Sequence, residues 1–395
     1  MRITGLIAEY NPFHNGHKYH IEQAKAITGA DAVIVVMSGD FVQRGMPAIL
    51  PKHMRAKAAL EAGASAVLEL PVCYATGSAE YFAYGAVLLL EKLGCVDSIC
   101  FGSECGDMEL LQKAANVLVD EPAEYREALH RFVRAGDSFP LARQKALAAY
   151  VSPEVLSEPN NILGLEYLKA LARIGSKMKP YTIRRVYSQY HDTDLQEEFS
   201  SATAIRKQIL SGNMEVLAGQ VPVKFLTDLQ EASPLYANDF SLLLKYRLLV
   251  ETKESLLAYA DVSEDLANRI INRRNQFQNF EQFCLLLKTR EITYSRISRA
   301  LTHILLGLKN GDDTGIHYAR VLGFCKRDCA VLAQIKRDGE VPMLTKLTAA
   351  RTLDDAAQKM LATDAFASDL YESVVSDKYG TKFVNEYEKE IIILE

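Results

Sequence analysis

His14 and His17 stand three residues apart around Gly16, just after a short apolar run (Ile3, Leu6, Ile7) that breaks at Asn11-Pro12. Proline lacks an amide hydrogen and cannot continue a central strand. Lys18, Ile21, Ala24 and Ile27 carry on at helical spacing, which places the two imidazoles in a strand-to-helix turn. The start of a helix offers free N–H groups and a positive dipole end, both suited to phosphate. Two imidazoles there add donors to the charge that builds on a phosphate under attack. The spacing therefore points to substitution at the α-phosphate of a nucleotide. The residues expected to line that nucleotide are Ile7, Ala8, Glu9, Tyr10, Asn11, Pro12, Phe13, His14, Asn15, Gly16, His17, Lys18, Tyr19 and His20. Taken alone, the pair also fits a metal site, which lacks a third ligand of obvious spacing, or a capped turn with incidental histidines.

The elements that must hold this turn follow from periodicity. Short apolar runs at residues 2–9, 32–37, 66–70, 98–101 and 181–186 read as strands. Amphipathic stretches at 18–28, 53–62, 78–93 and 108–118 read as the helices between them. That alternation predicts an α/β fold with a parallel sheet covered on both faces, and such sheets bind ligands beyond the carboxyl ends of their strands. Residues 120–178 read as a helical insertion before the last of these strands. Past residue 215 the pattern turns helical without strong strands, and residues 317–395 mix short apolar pieces with helix. The expected organisation is a catalytic domain over 1–215, a helical domain over 216–315 and an α-rich C-terminal region over 316–395.

Asn11-Pro12-Phe13-His14-Asn15-Gly16-His17 resembles the His-x-Gly-His signature of the nucleotidyltransferase superfamily. Further segments extend the likeness: residues 38–45 (SGDFVQRG), Phe101-Gly102-Ser103-Glu104, residues 159–164 (PNNILG) and residues 201–206 (SATAIR). With them the chain resembles the bacterial tRNA(Met) cytidine acetate ligase family over its whole length. The resemblance implies a Rossmann-like nucleotidyltransferase sheet domain followed by a mainly α-helical C-terminal region. It also implies an ATP-dependent ligase that forms acetyl-adenylate and acetylates N4 of the wobble cytidine, position 34, of elongator tRNA(Met). Its partners would then be ATP with Mg2+, acetate and the anticodon loop. A small-molecule adenylyltransferase of the same superfamily is the alternative, although such enzymes need only the sheet domain.

Under that resemblance Gly102, Asn160 and Arg185 are nucleotide contacts. On the residues alone they read equally as a turn glycine, a helix cap and an exposed basic pair with Arg184. Ser201, Thr203 and Arg206 resemble the Ser/Thr-rich helix start of pantetheine-phosphate adenylyltransferases, where a hydroxyl serves phosphate and helix cap together. His14, His17, Ser201 and Asp40 are thus the catalytic candidates; Asp40 reads either as the group that orients or deprotonates the arriving amine or, more commonly for Ser-Gly-Asp, as a turn-forming residue. Lys52, His53 and Arg55 open a helix where cations oppose the dipole, which hints at a bound polyanion, although a solvated face is the commoner meaning of such a run. For RNA the candidate surface is Arg269, Arg273, Arg274, Lys288, Arg290, Arg296 and Arg299, with Tyr294 available for stacking.

Composition narrows the classes further. A net charge of −5 excludes wholesale electrostatic binding of nucleic acid, so any RNA surface is a local patch. Seven cysteines in no paired framework, and no apolar run long enough to span a bilayer, predict reduced thiols, no membrane partner and a cytoplasmic location. No dedicated metal cage is evident, and Mg2+ is expected only with the ATP phosphates.

Overall fold

The computed structural model describes residues 1–185 and 200–395. In chain order its strands are β1 (Ile3–Ala8), β2 (Ala32–Ser38), β3 (Phe41–Val42), β4 (Met46–Pro47), β5 (Ala66–Leu70), β6 (Ser98–Ser103), β7 (Lys179–Arg184), β8 (Ala319–Cys325), β9 (Met343–Leu344) and β10 (Ile392–Leu394). β3 and β4 pair as a small hairpin, and the rest form one sheet in the order β10-β8-β5-β2-β1-β6-β7, with β9 beside β8. The five strands expected from sequence are all present and mutually parallel. Val186, the end of the last expected strand, lies outside the described residues. The chain runs outward from β1 to β2 and β5, then returns past β1 to β6 and β7. That reversal leaves a crevice at the carboxyl ends of β1 and β6.

The covering layers follow from strand geometry. Ile34 and Val36 of β2 share one core with the helices Ala79–Lys92 and Pro159–Ile174, while Val33, Val35 and Met37 share another with Asn15–Thr28 and Lys52–Glu61 on the opposite face. A period of two places alternate residues on opposite faces, so every β2 side chain is buried.

The last eighty or so residues do more than the sequence suggested. β8, one of the short apolar pieces of this region, lies antiparallel to β5, and β10 runs parallel to β8. Arg320 of β8 is buried between Glu69 and Glu386, partners that no local pattern announces. A third core holds the helical half, from Leu235 to Leu308. It includes Phe41 of the hairpin and Ala367, Tyr371, Val374 and Val375 of the long helix Asp355–Tyr379. Among the described residues no helix is long and apolar enough to cross a membrane.

Candidate active site

The turn after β1 carries both histidines at the mouth of the helix Asn15–Thr28. His14 is the N-cap, with extended backbone, and its Nδ1 accepts the Gly16 amide at 3.1 Å. His17 Nδ1 accepts the His14 amide at 3.3 Å, which closes a reciprocal capping box. The rings stack at 3.7 Å between centroids. Since each Nδ1 accepts a backbone N–H, a neutral ring carries its proton on Nε2. Burial lowers the pKa of His14 to about 3, helped by the nearby Arg185 and Arg206 guanidiniums. Burial likewise holds His17 well below its ordinary value, with His14 and Arg185 adding to the effect. The pair is therefore neutral near pH 7, with two Nε2–H donors to offer. The first-turn amides expected to bind phosphate are already engaged: Asn15 N–H donates to Gln220 O at 3.0 Å, Gly16 N–H to His14 and His17 N–H to His14 O at 2.9 Å. At this helix start, anion recognition falls on side chains.

A cavity of about 590 Å³ opens at the crevice and is lined by residues 7–11, His14, Gly16, His17, Tyr19 and His20, with Gly102, Asn160, Arg185, Ser201 and Arg206 among the other walls. Two buried polar atoms in this lining, the Tyr10 hydroxyl and His20 Nε2, have no hydrogen-bond partner among the described residues. Burying such groups unpaired is costly unless a ligand meets them.

The facing wall is built by a clamp. Glu104, just after β6, accepts the Asn160 amide at 3.2 Å, the Asn160 side-chain amide at 2.5 Å and the Asn161 amide at 2.9 Å. In return Asn161 Oδ1 accepts the amides of Glu104 and Cys105 at 2.9 and 3.2 Å. This lock fixes the start of the helix Pro159–Ile174, and Arg185 donates to Asn160 Oδ1 at 3.1 Å. A Cβ at Gly102 would meet the Arg185 stem at 3.4 Å and Ile183 O at 4.0 Å, both ordinary contacts, so any need for glycine there comes from the ligand side. Ser201 caps the helix Ala202–Leu210 by accepting the Ala204 amide at 3.0 Å, and Arg206 reaches back to Asn11 O at 2.6 Å. Glu104 carries a positioning role that the motif Phe101-Gly102-Ser103-Glu104 contained but did not explain.

The helical half closes the third side. Ser298 and Thr302 both donate to Gly45 O, at 2.7 and 2.8 Å, where the β3–β4 hairpin turns. Gly45 has φ +68, and a Cβ there would lie 2.4 Å from the Arg299 Cα, so the hairpin and the helix Tyr294–Leu306 meet backbone to backbone. This contact brings Ser295 and Arg299 into the cavity lining beside Gln43 and Arg44.

Several expected site residues sit elsewhere. Phe13 is buried against Tyr10, His17 and Phe225, where it supports the turn instead of lining the cavity. Pro12 and Asn15 are also absent from the lining, and Asn15 Nδ2 donates to Gly219 O. Lys18 points outward, half exposed, toward Glu22. Asp40 does not line the cavity: it is 4% exposed and accepts the Lys52 amide at 2.7 Å, with the Lys52 ammonium 3.8 Å away. Lys52 and Arg55 are 0% exposed and serve the protein's own acceptors, Glu69 and Glu386 for Lys52 and backbone carbonyls for Arg55, so they meet no polyanion.

The basic stretch divides in the same way. Arg269 donates to Leu287 O, Arg274 to Leu248 O and Glu251 O, and Arg299 pairs through two 2.8 Å bonds with Asp261. Tyr294 packs against the helical core, and burial pushes its phenol up. Arg273 and Arg296 are half-buried, while Lys288 and Arg290 are exposed on the loop leading into the helix Tyr294–Leu306.

The HIGH nucleotidyl transferase family profile matches residues 1–386. The tRNA(Met) cytidine acetate ligase of Acetivibrio thermocellus is 40% identical over the full length of both chains. That of a Thermoanaerobacter strain is 42% identical over 94% of this chain and 95% of its own. Among solved structures, Thermotoga maritima TmcAL in its apo form superposes with a TM-score of 0.93 at 31% identity, covering all of both chains. The same protein bound with alpha-thio ATP superposes at 0.91 and 30% identity, again over both complete chains.

Proposed function

The chain belongs to the tRNA(Met) cytidine acetate ligase family, and on that premise we propose that it activates acetate with ATP and passes the acetyl group to N4 of the wobble cytidine in the anticodon loop of elongator tRNA(Met). One observation carries the chemistry. Two neutral, stacked imidazoles are held by their Nδ1 atoms so that both Nε2–H groups remain for a phosphate in the cavity. In the first step an acetate oxygen attacks the α-phosphorus, a new P–O bond forms, and the bond to the β-phosphate oxygen breaks to release pyrophosphate. His14 and His17 would donate to the α-phosphate oxygens, with Arg185 and Arg206 supplying the fixed positive charge. In the second step the cytidine amine attacks the acetyl carbonyl and AMP leaves.

Residues 1–215 supply the reacting groups, and residues 216–315 supply one wall together with the exposed Lys288 and Arg290 for RNA. Among the described residues no three His, Cys, Asp or Glu side chains converge on a metal position, so Mg2+ would arrive with the ATP phosphates. The reaction belongs in the cytoplasm, where tRNA and ATP are found. An adenylyltransferase that makes a dinucleotide would have no use for the helical half that closes the cavity through Ser295 and Arg299.

The test is to incubate the protein with ATP and labelled acetate, with and without bulk tRNA. Label is expected in acetyl-adenylate without tRNA and in N4-acetylcytidine with it. A protein that leaves acetate untouched while adenylating a phosphorylated small molecule would overturn the reading.

A further inference from the structure

Asp40 cannot receive the cytidine amine, because it is sealed against Lys52. Among the described residues, the carboxylate that does face the cavity is Glu9, immediately after β1. Its Oε1 accepts the Gln43 amide at 2.7 Å, which ties it to the hairpin that the helical half grips at Gly45. No described residue donates to Oε2. The groups facing Glu9 are Arg44, Arg206 and Arg55, and their positive fields oppose the upward push that burial exerts on its carboxyl. Tyr167 is near enough to feel its charge, packs against Phe101 at 5.5 Å between centroids, and lines the cavity with Phe82. A carboxylate beside flat apolar side chains matches cytosine, whose exocyclic amine is the edge group that Asp and Glu accept from. Uracil places a carbonyl oxygen at the same position, which a carboxylate repels.

We propose that Glu9 accepts the exocyclic amine of the target cytidine, orients it toward the acetyl carbonyl and takes its proton; this rests on the function proposed above. The amine nitrogen forms a C–N bond to the acetyl carbon. The C–O bond to the AMP phosphate breaks and its electron pair leaves on AMP. One N–H proton passes to Glu9 Oε2 and from there to water. The same contact selects cytidine over uridine.

The experiment compares Glu9→Gln with wild type in two separated steps: acetyl-adenylate formation without tRNA, and single-turnover transfer from preformed acetyl-adenylate to tRNA. Glu9 shares the cavity with ATP, so the readout is the ratio of the two steps: transfer is expected to fall about 10²–10⁴-fold, the range for loss of a general base, beyond any loss in adenylate formation. Competition by a transcript carrying uridine at the target position should be weak against wild type and stronger against Glu9→Gln. Glu9→Asp, which keeps the charge, should recover part of the transfer rate. Equal losses in both steps would make Glu9 an ATP contact and overturn the proposal, as would unimpaired transfer in Glu9→Gln. A variant that melts well below wild type is replaced in the comparison by Glu9→Asp, whose unaltered cytidine-to-uridine preference and partial rate must then both hold. If wild type forms no acetyl-adenylate at all, the proposed function fails first and separately.

Discussion

His14 does two jobs through two different ring nitrogens, so they can be separated by substitution. Nδ1 caps the helix Asn15–Thr28 by accepting the Gly16 amide, and Nε2–H is left for phosphate. Asparagine is among the best N-caps, and its side-chain oxygen can replace the Nδ1 acceptor. It cannot place a donor where Nε2 stood. His14→Asn should therefore keep the helix start, and melting should stay within about 2 °C of wild type. Removal of one preorganised donor to a developing oxyanion costs about 2.7–4 kcal/mol, so acetyl-adenylate formation should fall about 10²–10³-fold. His14→Ala loses donor and cap together. It should show the same catalytic fall plus about 1 kcal/mol of lost stability. The assay is pyrophosphate release with acetate and saturating ATP, run beside chemical denaturation of all three proteins. If His14→Asn retained the rate while His14→Ala lost it, the catalytic loss would trace to the cap, and the phosphate role of Nε2 would be refuted.

Further outcomes follow from the same geometry. Glu104→Ala removes three acceptor contacts at the start of the helix Pro159–Ile174. It should weaken ATP binding about tenfold, near 1.4 kcal/mol, by letting Asn160 and Arg185 drift, as calorimetry with ATP would read. The double reversal Lys288→Glu with Arg290→Glu should leave adenylate formation intact, weaken tRNA transfer and lower the salt dependence of tRNA binding by about one unit of slope per lost phosphate contact. In the fold His14 titrates near pH 3 and His20 near pH 4, both lowered first by burial, against about 6.5 in an unfolded chain. The unfolded chain therefore takes up protons first as pH falls. Their contribution is complete above pH 6.5 and declines below it until the folded groups titrate. At pH 5.5 each costs about 1.4 kcal/mol of stability, measurable as a lower urea midpoint. Phosphate beside the rings favours their charged form, so ATP should raise the melting temperature more at pH 5.5 than at pH 7.5.

The half of the site that was legible in the sequence is the half built from local pattern. β1, β2 and β5 are short, mainly apolar runs, and His14 and His17 sit where such a run meets a helical period, so spacing alone pointed to the crevice. What stayed hidden depends on partners distant in the chain. Lys52 opens a helix and reads as a cation for an outside anion, yet its ammonium is held by Glu69 at 2.7 Å and by Glu386 at 2.7 Å. Removing either charge from such a buried group would leave the others unpaired at a cost of about 3–5 kcal/mol, so its role is to join β5, β8 and the C-terminal segment. Arg274 and Arg269 differ from their sequence pattern for the same reason: a basic helix face looks solvated until the carbonyls it reaches are known. Asp40 and Glu9 make the point most sharply, because both are acids just beyond the carboxyl end of a central strand. Only the packing around them differs. A lysine from the next helix seals Asp40 into the core, and the amide of Gln43 holds just one oxygen of Glu9, leaving the other for whatever enters the cavity.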